Sequence, residues 1–400
     1  MAELLEQRSS ISLQLIDALL EVFGEFNQLN IWSKVTKDDF TVKRFDLGND
    51  SNLCCCQLTE TAKSKLNFSS PKDCEGVVVK FLTFGDNGIT DNGLSLADIV
   101  AVNTVLSINQ ISPKLLFANS KCYVHEYIKS RIYTFENDDN PEVVKCLARI
   151  LAKFHSLDAP ISNNAYKTSQ KSYEDFFNRR KHIYGWGNTE ATGQKYLKAL
   201  ENHPEIKEQY YDEFAKIDYH SEIVYVQNLK ERLDSPIVFA HSDFNRGNRL
   251  VVKDSKDQLE KIYLIDFDAT SMNNRGVDFG DYFSNYRHRE DFANEGFPSD
   301  EDMALFLNEY REKCAQIFGT EFLDKKENSL EHMIDEAKIY TLGSYIGGTF
   351  FGLMWYQEAH DTGKGQYFLN VAKNQSRGYN RLKKRFIEDG TIPRILQMPK

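Results

Sequence analysis

Nowhere in the 400 residues does G-x-x-x-x-G-K-[ST] occur, so a P-loop nucleotide site is excluded. The seven cysteines include no C-x-x-C pair, and only Cys54, Cys55 and Cys56 cluster. Neither a zinc site nor a disulfide framework is indicated, and the thiols read as small hydrophobes of a reduced chain. An excess of positive charge is also missing. Lys and Arg number 49 against 59 Asp and Glu, a formal net charge of −10, which argues against nucleic acid or an anionic membrane as standing partner. The opening MAELLEQRSS carries acids early and no apolar core of a signal peptide, so a cytoplasmic location is expected. Repeats and low-complexity tracts are absent. The 19 residues 339–357 are uncharged, but their glycines and scattered hydroxyl side chains favour a buried helix over stable membrane insertion.

What is present is an ordinary globular composition, 41% hydrophobic and 27% charged, long enough for one bilobal unit or two domains. Its most informative part runs from Ile237 to Phe283. Two apolar runs, Ile237 to Ala240 and Ile262 to Ile265, read as short neighbouring strands that each open into polar residues. The first gives His241, Asp243 and Asn248, and the second gives Asp266 and Asp268. The spacing H-x-D-x-x-x-x-N followed by a strand-end aspartate is that of kinase catalytic and metal-binding loops, although glycine is missing after Asp266-Phe267. Phosphoryl transfer needs a carboxylate to orient the attacking hydroxyl and take its proton, here Asp243. It also needs hard oxygen ligands for Mg²⁺, here Asn248 and Asp266 with Asp268 close by. A surface turn rich in Asp and Asn is the bland alternative, but it leaves the second strand-borne aspartate unexplained.

Other features fit a kinase plan. Residues 76–82 (GVVVKFL) read as a strand holding Lys80, and a lysine in an apolar strand is costly unless it meets an anion such as ATP phosphate. A solvent-facing lysine on an edge strand is the rival reading. The following helix offers Asp98 as its one acid. Residues 11–26 show helical periodicity through Leu15, Leu19 and Phe23, either a packing helix or a homodimer contact. Arg275 reads equally as a neutraliser of the carboxylates and as a structural ion pair. His155 reads as structural, and SRGYNRLKKRFIEDG as a basic, solvated terminal helix. The segment HIYGWGN (residues 182–188) is a substrate-side loop or a helix connection.

Together FAHSDFNRGN and LIDFDATSMNNRGVDFGDYF, with VVVKFL, SPKLLF, VHEYIKS and LAKFHSLDAP in order, resemble the choline/ethanolamine kinase family, relatives of aminoglycoside phosphotransferases. The resemblance runs from about residue 40 to about residue 385. Two positions mark a divergent member, Ser242 where the family has Asn and Asp268 where it has Glu. The resemblance implies an α+β, bilobal, protein-kinase-like fold, with a nucleotide-binding lobe at 1–130 built on an antiparallel sheet. A mostly helical catalytic and substrate-binding lobe would span 131–400. It further implies ATP and Mg²⁺ as cofactors. The phosphates would be covered by the turn containing Asn52, and adenine read by backbone near Glu126 and Ile128. The acceptor implied is a small amino-alcohol, choline or ethanolamine, phosphorylated at its hydroxyl as a first step toward phospholipid. Its pocket would draw on Asn285, Tyr286, Phe351, Met354 and Trp355, with Asp281 and Glu290 near. A catalytically silent kinase-fold binder and a kinase of another hydroxylated molecule are the rival functions.

Overall fold

A computed structural model of the chain describes residues 13–26, 30–45, 53–66, 74–84, 94–158, 219–288, 296–359, 363 and 365–399. Asn52, Glu290 and the segment 182–188 lie outside the described residues, and so does the side chain of Met354. The chain divides into two compact units, Met1–Ser130 and Arg131–Lys400.

The first unit is an antiparallel sheet with helices. Strands β1 (Phe40–Phe45), β2 (Leu53–Leu58), β3 (Gly76–Phe81), β4 (Leu115–Ala118) and β5 (Cys122–Glu126) lie in the order β1-β2-β3-β5-β4. Alternation decides which face each residue joins. Cys54, Cys56, Val77, Val79, Cys122 and Val124 all enter one core, where α1 (Leu13–Gly24) adds Leu19, Val22 and Phe23. The amphipathic helix is thus consumed by packing within its own unit. Cys55 is buried as well, on the opposite sheet face, where Val78 and Lys80 follow on β3. All the cysteines are free thiols, and burial pushes the Cys55 thiol up to about 11, which suits an apolar filler. Helix α2 (Glu60–Lys65) follows β2, and α3 (Leu96–Ile108) starts at a capping box between Ser95 and Asp98.

The second unit is mostly helical. In chain order it holds β6 (Arg131–Ile132), α4 (Pro141–His155), α5 (Tyr219–Leu233), β7 (Ile237–Ala240), β8 (Arg249–Lys253), β9 (Leu259–Leu264) and β10 (Ser271–Asn274). Helices α6 (Gly276–Ser284), α7 (Asp300–Phe318), α8 (Leu330–Ala359), α9 (Gly365–Glu388) and α10 (Thr391–Leu396) complete it. The two apolar runs expected to be neighbouring strands lie in different sheets. Strand β7 pairs antiparallel with β10, while β9 pairs with β8, which itself pairs β6. The reason is local. Asp254 turns the chain through hydrogen bonds from Lys256 and Gln258, so β8 and β9 close a short hairpin that costs less loop entropy than a distant pairing.

One further expectation is corrected, and one left open between two readings is decided. The basic terminal stretch is not a solvated helix, because α9 buries Leu369, Ala372, Tyr379, Leu382 and Phe386 on the face that packs along α8. Arg275 is a structural ion pair. Its buried guanidinium lies 2.6 Å from Glu336 and also bonds Asn328 and the Glu327 carbonyl, so each of its three nitrogens is engaged by a structural partner. Residues 339–357 fall inside α8, and among the described residues no helix is long and apolar enough to cross a membrane.

Candidate active site

The candidate catalytic loop begins where β7 ends. Ser242 takes a left-handed conformation (φ 61°), as does Asp266 after β9 (φ 62°). Non-glycine residues adopt this region at a cost, and each bend here turns an aspartate out of its strand direction. Two bonds tie the bends together. His241 Nε2 donates to the Ile265 carbonyl at 3.1 Å, and the Ile265 amide donates to the Asn248 carbonyl at 3.0 Å. The residue immediately before Asp266 is therefore held by both ends of the loop that carries Asp243.

The Asp243 carboxylate is held by two amides. Asn245 Nδ2 donates to Oδ1 and Asn248 Nδ2 to Oδ2, each at 2.7 Å, and Asn248 also donates to the Asp243 carbonyl at 2.9 Å. Beneath the loop, Asp278 of α6 accepts the backbone amides of His241 and Ser242, both at 2.8 Å. His155, at the end of α4, donates Nε2–H to the same carboxylate at 2.9 Å and takes the Tyr310 hydroxyl on Nδ1. Burial opposes the Asp278 charge, but the His155 bond and the His241 amide outweigh it and hold the carboxyl below its usual range. His155 is thus structural, one step removed from the loop it steadies.

Helix α6 reaches this position because Gly280 lets it touch α8. A Cβ at Gly280 would lie 2.6 Å from the Tyr340 backbone carbon, so any larger residue would lift the helix and Asp278 away. Arg246 of the loop donates to the Asn285 and His288 carbonyls and to Asp138, fastening the loop to the far end of α6. Arg249 lies over the rings of Tyr133, Phe244 and Tyr282, 4.3 to 5.2 Å from their centroids.

For a metal, the donor chemistry fits. Both amide hydrogens of Asn248 are taken by Asp243, which leaves its Oδ1 as the atom able to meet a hard cation. Asp266 is exposed, and Asp268 is half-buried two residues on. One amide oxygen with one or two carboxylates matches what Mg²⁺ takes from proteins when phosphates and water supply the rest.

In the first unit, Lys80 is half-buried on β3, on the same face as His125 of β5. Burial, and then the Lys80 charge, push the His125 imidazole down to about 4, so a neutral ring stands beside the ammonium. Asp98 accepts the Ser95 amide and hydroxyl as part of its capping box. At the end of β5 the Glu126 amide donates to Lys114 and the Tyr127 amide to Gly76, while the Ile128 carbonyl accepts Ser130. The Ile128 N–H takes no partner among the described residues.

The expected acceptor residues divide. Asn285 caps α6 with its own side chain, donating to the Asp281 carbonyl at 2.8 Å and to Ser284 at 3.1 Å. Tyr286 is buried among Tyr282 and Phe283. Phe351 is 48% exposed, and its ring meets Trp355 at 6.0 Å and Phe368 at 6.1 Å. Tyr367, 50% exposed, joins through Phe368 at 5.3 Å. The sequence reading missed Tyr367 and Phe368, although their adjacency at the start of an amphipathic helix was the available signal. It also missed Asn245, which sits inside the motif as a second amide on Asp243.

The family model described as choline/ethanolamine kinase matches residues 94–379. A probable ethanolamine kinase of Arabidopsis thaliana is 28% identical over 214 residues, 53% of this chain and 50% of that protein. A choline/ethanolamine kinase of Rattus norvegicus is 23% identical over 261 residues, 62% of this chain and 59% of that protein. The match thus spans between half and three-fifths of these relatives' length. Among solved structures, choline kinase from Cryptosporidium parvum Iowa II superposes with a TM-score of 0.61 at 16% identity, covering 96% of this chain and 99% of that one, a likeness of fold. The bilobal kinase-like α+β class expected from the motifs is the class observed, and with a family model matching most of its length this chain belongs to the choline/ethanolamine kinase family.

Proposed function

We propose that the chain transfers the γ-phosphoryl group of ATP to the hydroxyl of a small amino-alcohol of the choline or ethanolamine class. The observation that carries the reading is the Asp243 carboxylate, fixed by Asn245 and Asn248 on a loop whose ends hold the residue before Asp266. Asp243 orients the acceptor hydroxyl and takes its proton as the oxygen attacks phosphorus. Asn248 and Asp266, with Asp268 beside them, hold Mg²⁺, which when bound neutralises charge on the phosphates. Lys80 serves the phosphates, the turn containing Asn52 covers them, and the Ile128 N–H past Glu126 reads adenine. The exposed ring faces of Phe351 and Tyr367, with Trp355 and Phe368, offer a cationic ammonium the aromatic surface it favours. The named relatives act on ethanolamine or choline by their descriptions, which supports this acceptor class. A cytoplasmic setting and a step toward phospholipid go with the reading.

The test is ATP consumption and product formation with Mg-ATP against choline, ethanolamine, an aminoglycoside and a neutral sugar alcohol, with Asp243→Ala in parallel. Amine turnover should fall by about 10²- to 10⁴-fold in Asp243→Ala while nucleotide binding persists. Wild-type turnover in Asp243→Ala removes it as the base, and preference for the neutral alcohol removes the amine acceptor.

A further inference from the structure

Helix α6 carries a second carboxylate one turn beyond Asp278. Asp281 Oδ2 accepts the Phe244 amide at 3.3 Å, and its Oδ1 accepts the Ser344 hydroxyl of α8 at 2.9 Å. Phe244 follows Asp243 directly. With Asp278 on the amides of His241 and Ser242, one helix therefore holds three loop amides, two ahead of Asp243 and one behind it. An apolar residue would pack between α6 and α8 at lower electrostatic cost. Burial, and then the charges of Asp278 and Asp243, push the Asp281 carboxyl up to about 7. The Ser344 hydroxyl and the Phe244 amide offset part of this, and a cation on α5 feels the carboxylate. Lys230 sends its ammonium to within 4.5 Å of the Tyr340 ring centroid, and Asp281 is the anion that acts on it. Burial brings that ammonium down to about 8, so both members of the pair are held at a cost.

We propose that Asp281 is a positioning residue for Asp243: braced by Ser344 and balanced by Lys230, it anchors the Phe244 amide and fixes the second end of the turn that presents the base. The inference rests on the reading of Asp243 as the base. Without Asp281 the turn keeps its Asp278 anchor and loses the bond that holds the amide directly behind Asp243. The Asp243 carboxylate then loses alignment with the acceptor hydroxyl, while the groups proposed to bind nucleotide and amine stay in place.

The experiment compares the full chain with Asp281→Leu, Asp281→Ala, Asp281→Asn, Lys230→Met and the Lys230→Met/Asp281→Asn double variant. It measures steady-state kinetics with Mg-ATP and choline or ethanolamine, and hydrogen exchange at the Phe244 amide. Asp281→Leu and Asp281→Ala should lower kcat by about 10- to 100-fold with each KM within about twofold, because misalignment costs rate rather than binding. Phe244 should exchange faster in both. Asp281→Asn keeps an oxygen able to accept the amide and should recover most of kcat and of the protection. Lys230→Met should lower kcat in the wild-type background and leave it unmoved in the Asp281→Asn background, since the counter-ion acts through the carboxylate. An unchanged kcat in Asp281→Leu and Asp281→Ala, a loss carried by KM, or additive effects of the two substitutions overturns the proposal. Should the wild-type chain phosphorylate neither amine, the functional reading fails on its own. The Phe244 exchange rate then decides the clamp, and an unchanged rate in Asp281→Leu or Asp281→Ala overturns it.

Discussion

Asn248 spends both of its amide hydrogens on Asp243, one on the carboxylate at 2.7 Å and one on the backbone carbonyl at 2.9 Å. One side chain thereby joins the proposed base to the proposed metal position, because the donors face Asp243 and the oxygen faces away. Asn248→Asp would set two carboxylates against each other and replace a donor with an acceptor. Asp243 would then be shared between repulsion and protonation. The expected result is a fall in kcat of about 10²-fold or more, with a new acid-side limb in the pH–rate profile. A variant that keeps both wild-type kcat and profile would show that this bond does not set the base.

Asp266 is exposed at a left-handed bend, and its carboxylate is proposed to meet Mg²⁺ together with Asn248. Asp266→Asn keeps the shape and removes the charge. ATP binding at low Mg²⁺ should weaken, and raising Mg²⁺ should recover part of it, since a neutral oxygen is a poorer ligand and not an absent one. Titration calorimetry of ATP at two Mg²⁺ concentrations reads both effects. An unaltered Mg²⁺ dependence would take Asp266 out of the metal site.

The residues proposed for catalysis could be picked out of the sequence because their spacing is local. Asp243 and Asn248 sit five apart on one loop, and Asp266 follows an apolar run. The supports were not legible in the same way. His155, Asp278 and Tyr310 meet from three helices, and nothing near His155 in the chain announces a partner 123 residues away. The strand pairing misread had a similar cause. Two apolar runs look alike in sequence, and only the Asp254 turn decides that β9 returns along β8. Arg275 was ambiguous because its partner Glu336 lies 61 residues on, inside a helix whose other residues are mostly apolar.

The neutral His125 beside Lys80 makes a pH prediction. Its imidazole is held at about 4, below the ordinary value near 6.5, by burial and then by the lysine charge. Between those values the unfolded chain binds a proton that the folded chain refuses. Stability should therefore be complete above about pH 6.5 and fall by on the order of 3 kcal/mol as pH drops toward about 4. His125→Phe should flatten that part of the denaturant midpoint against pH curve. Lys80→Met should move the imidazole upward, as NMR titration of the ring would show. A curve left unchanged by His125→Phe would mean that other groups carry the acid sensitivity.

Gly352 tests the aromatic surface without touching an aromatic ring. A Cβ there would lie 2.6 Å from both the Ala372 amide nitrogen and the Phe368 carbonyl oxygen, backbone atoms of α9 that cannot step aside as a side chain can. Gly352→Ala must push α9 away from α8, and Phe368 moves with it relative to Phe351 and Trp355. Overpacking of this kind costs about 1–3 kcal/mol, to be read as a lower denaturant midpoint with an unchanged slope. If the four rings receive the ammonium of the acceptor, the KM for choline should rise while the KM for ATP stays put. A neutral alcohol of the same shape should lose less, because cation–π attraction depends on ring placement and hydrophobic contact tolerates displacement better. Lower stability with an unmoved choline KM would leave the rings as a packing seam between two helices and place the amine elsewhere.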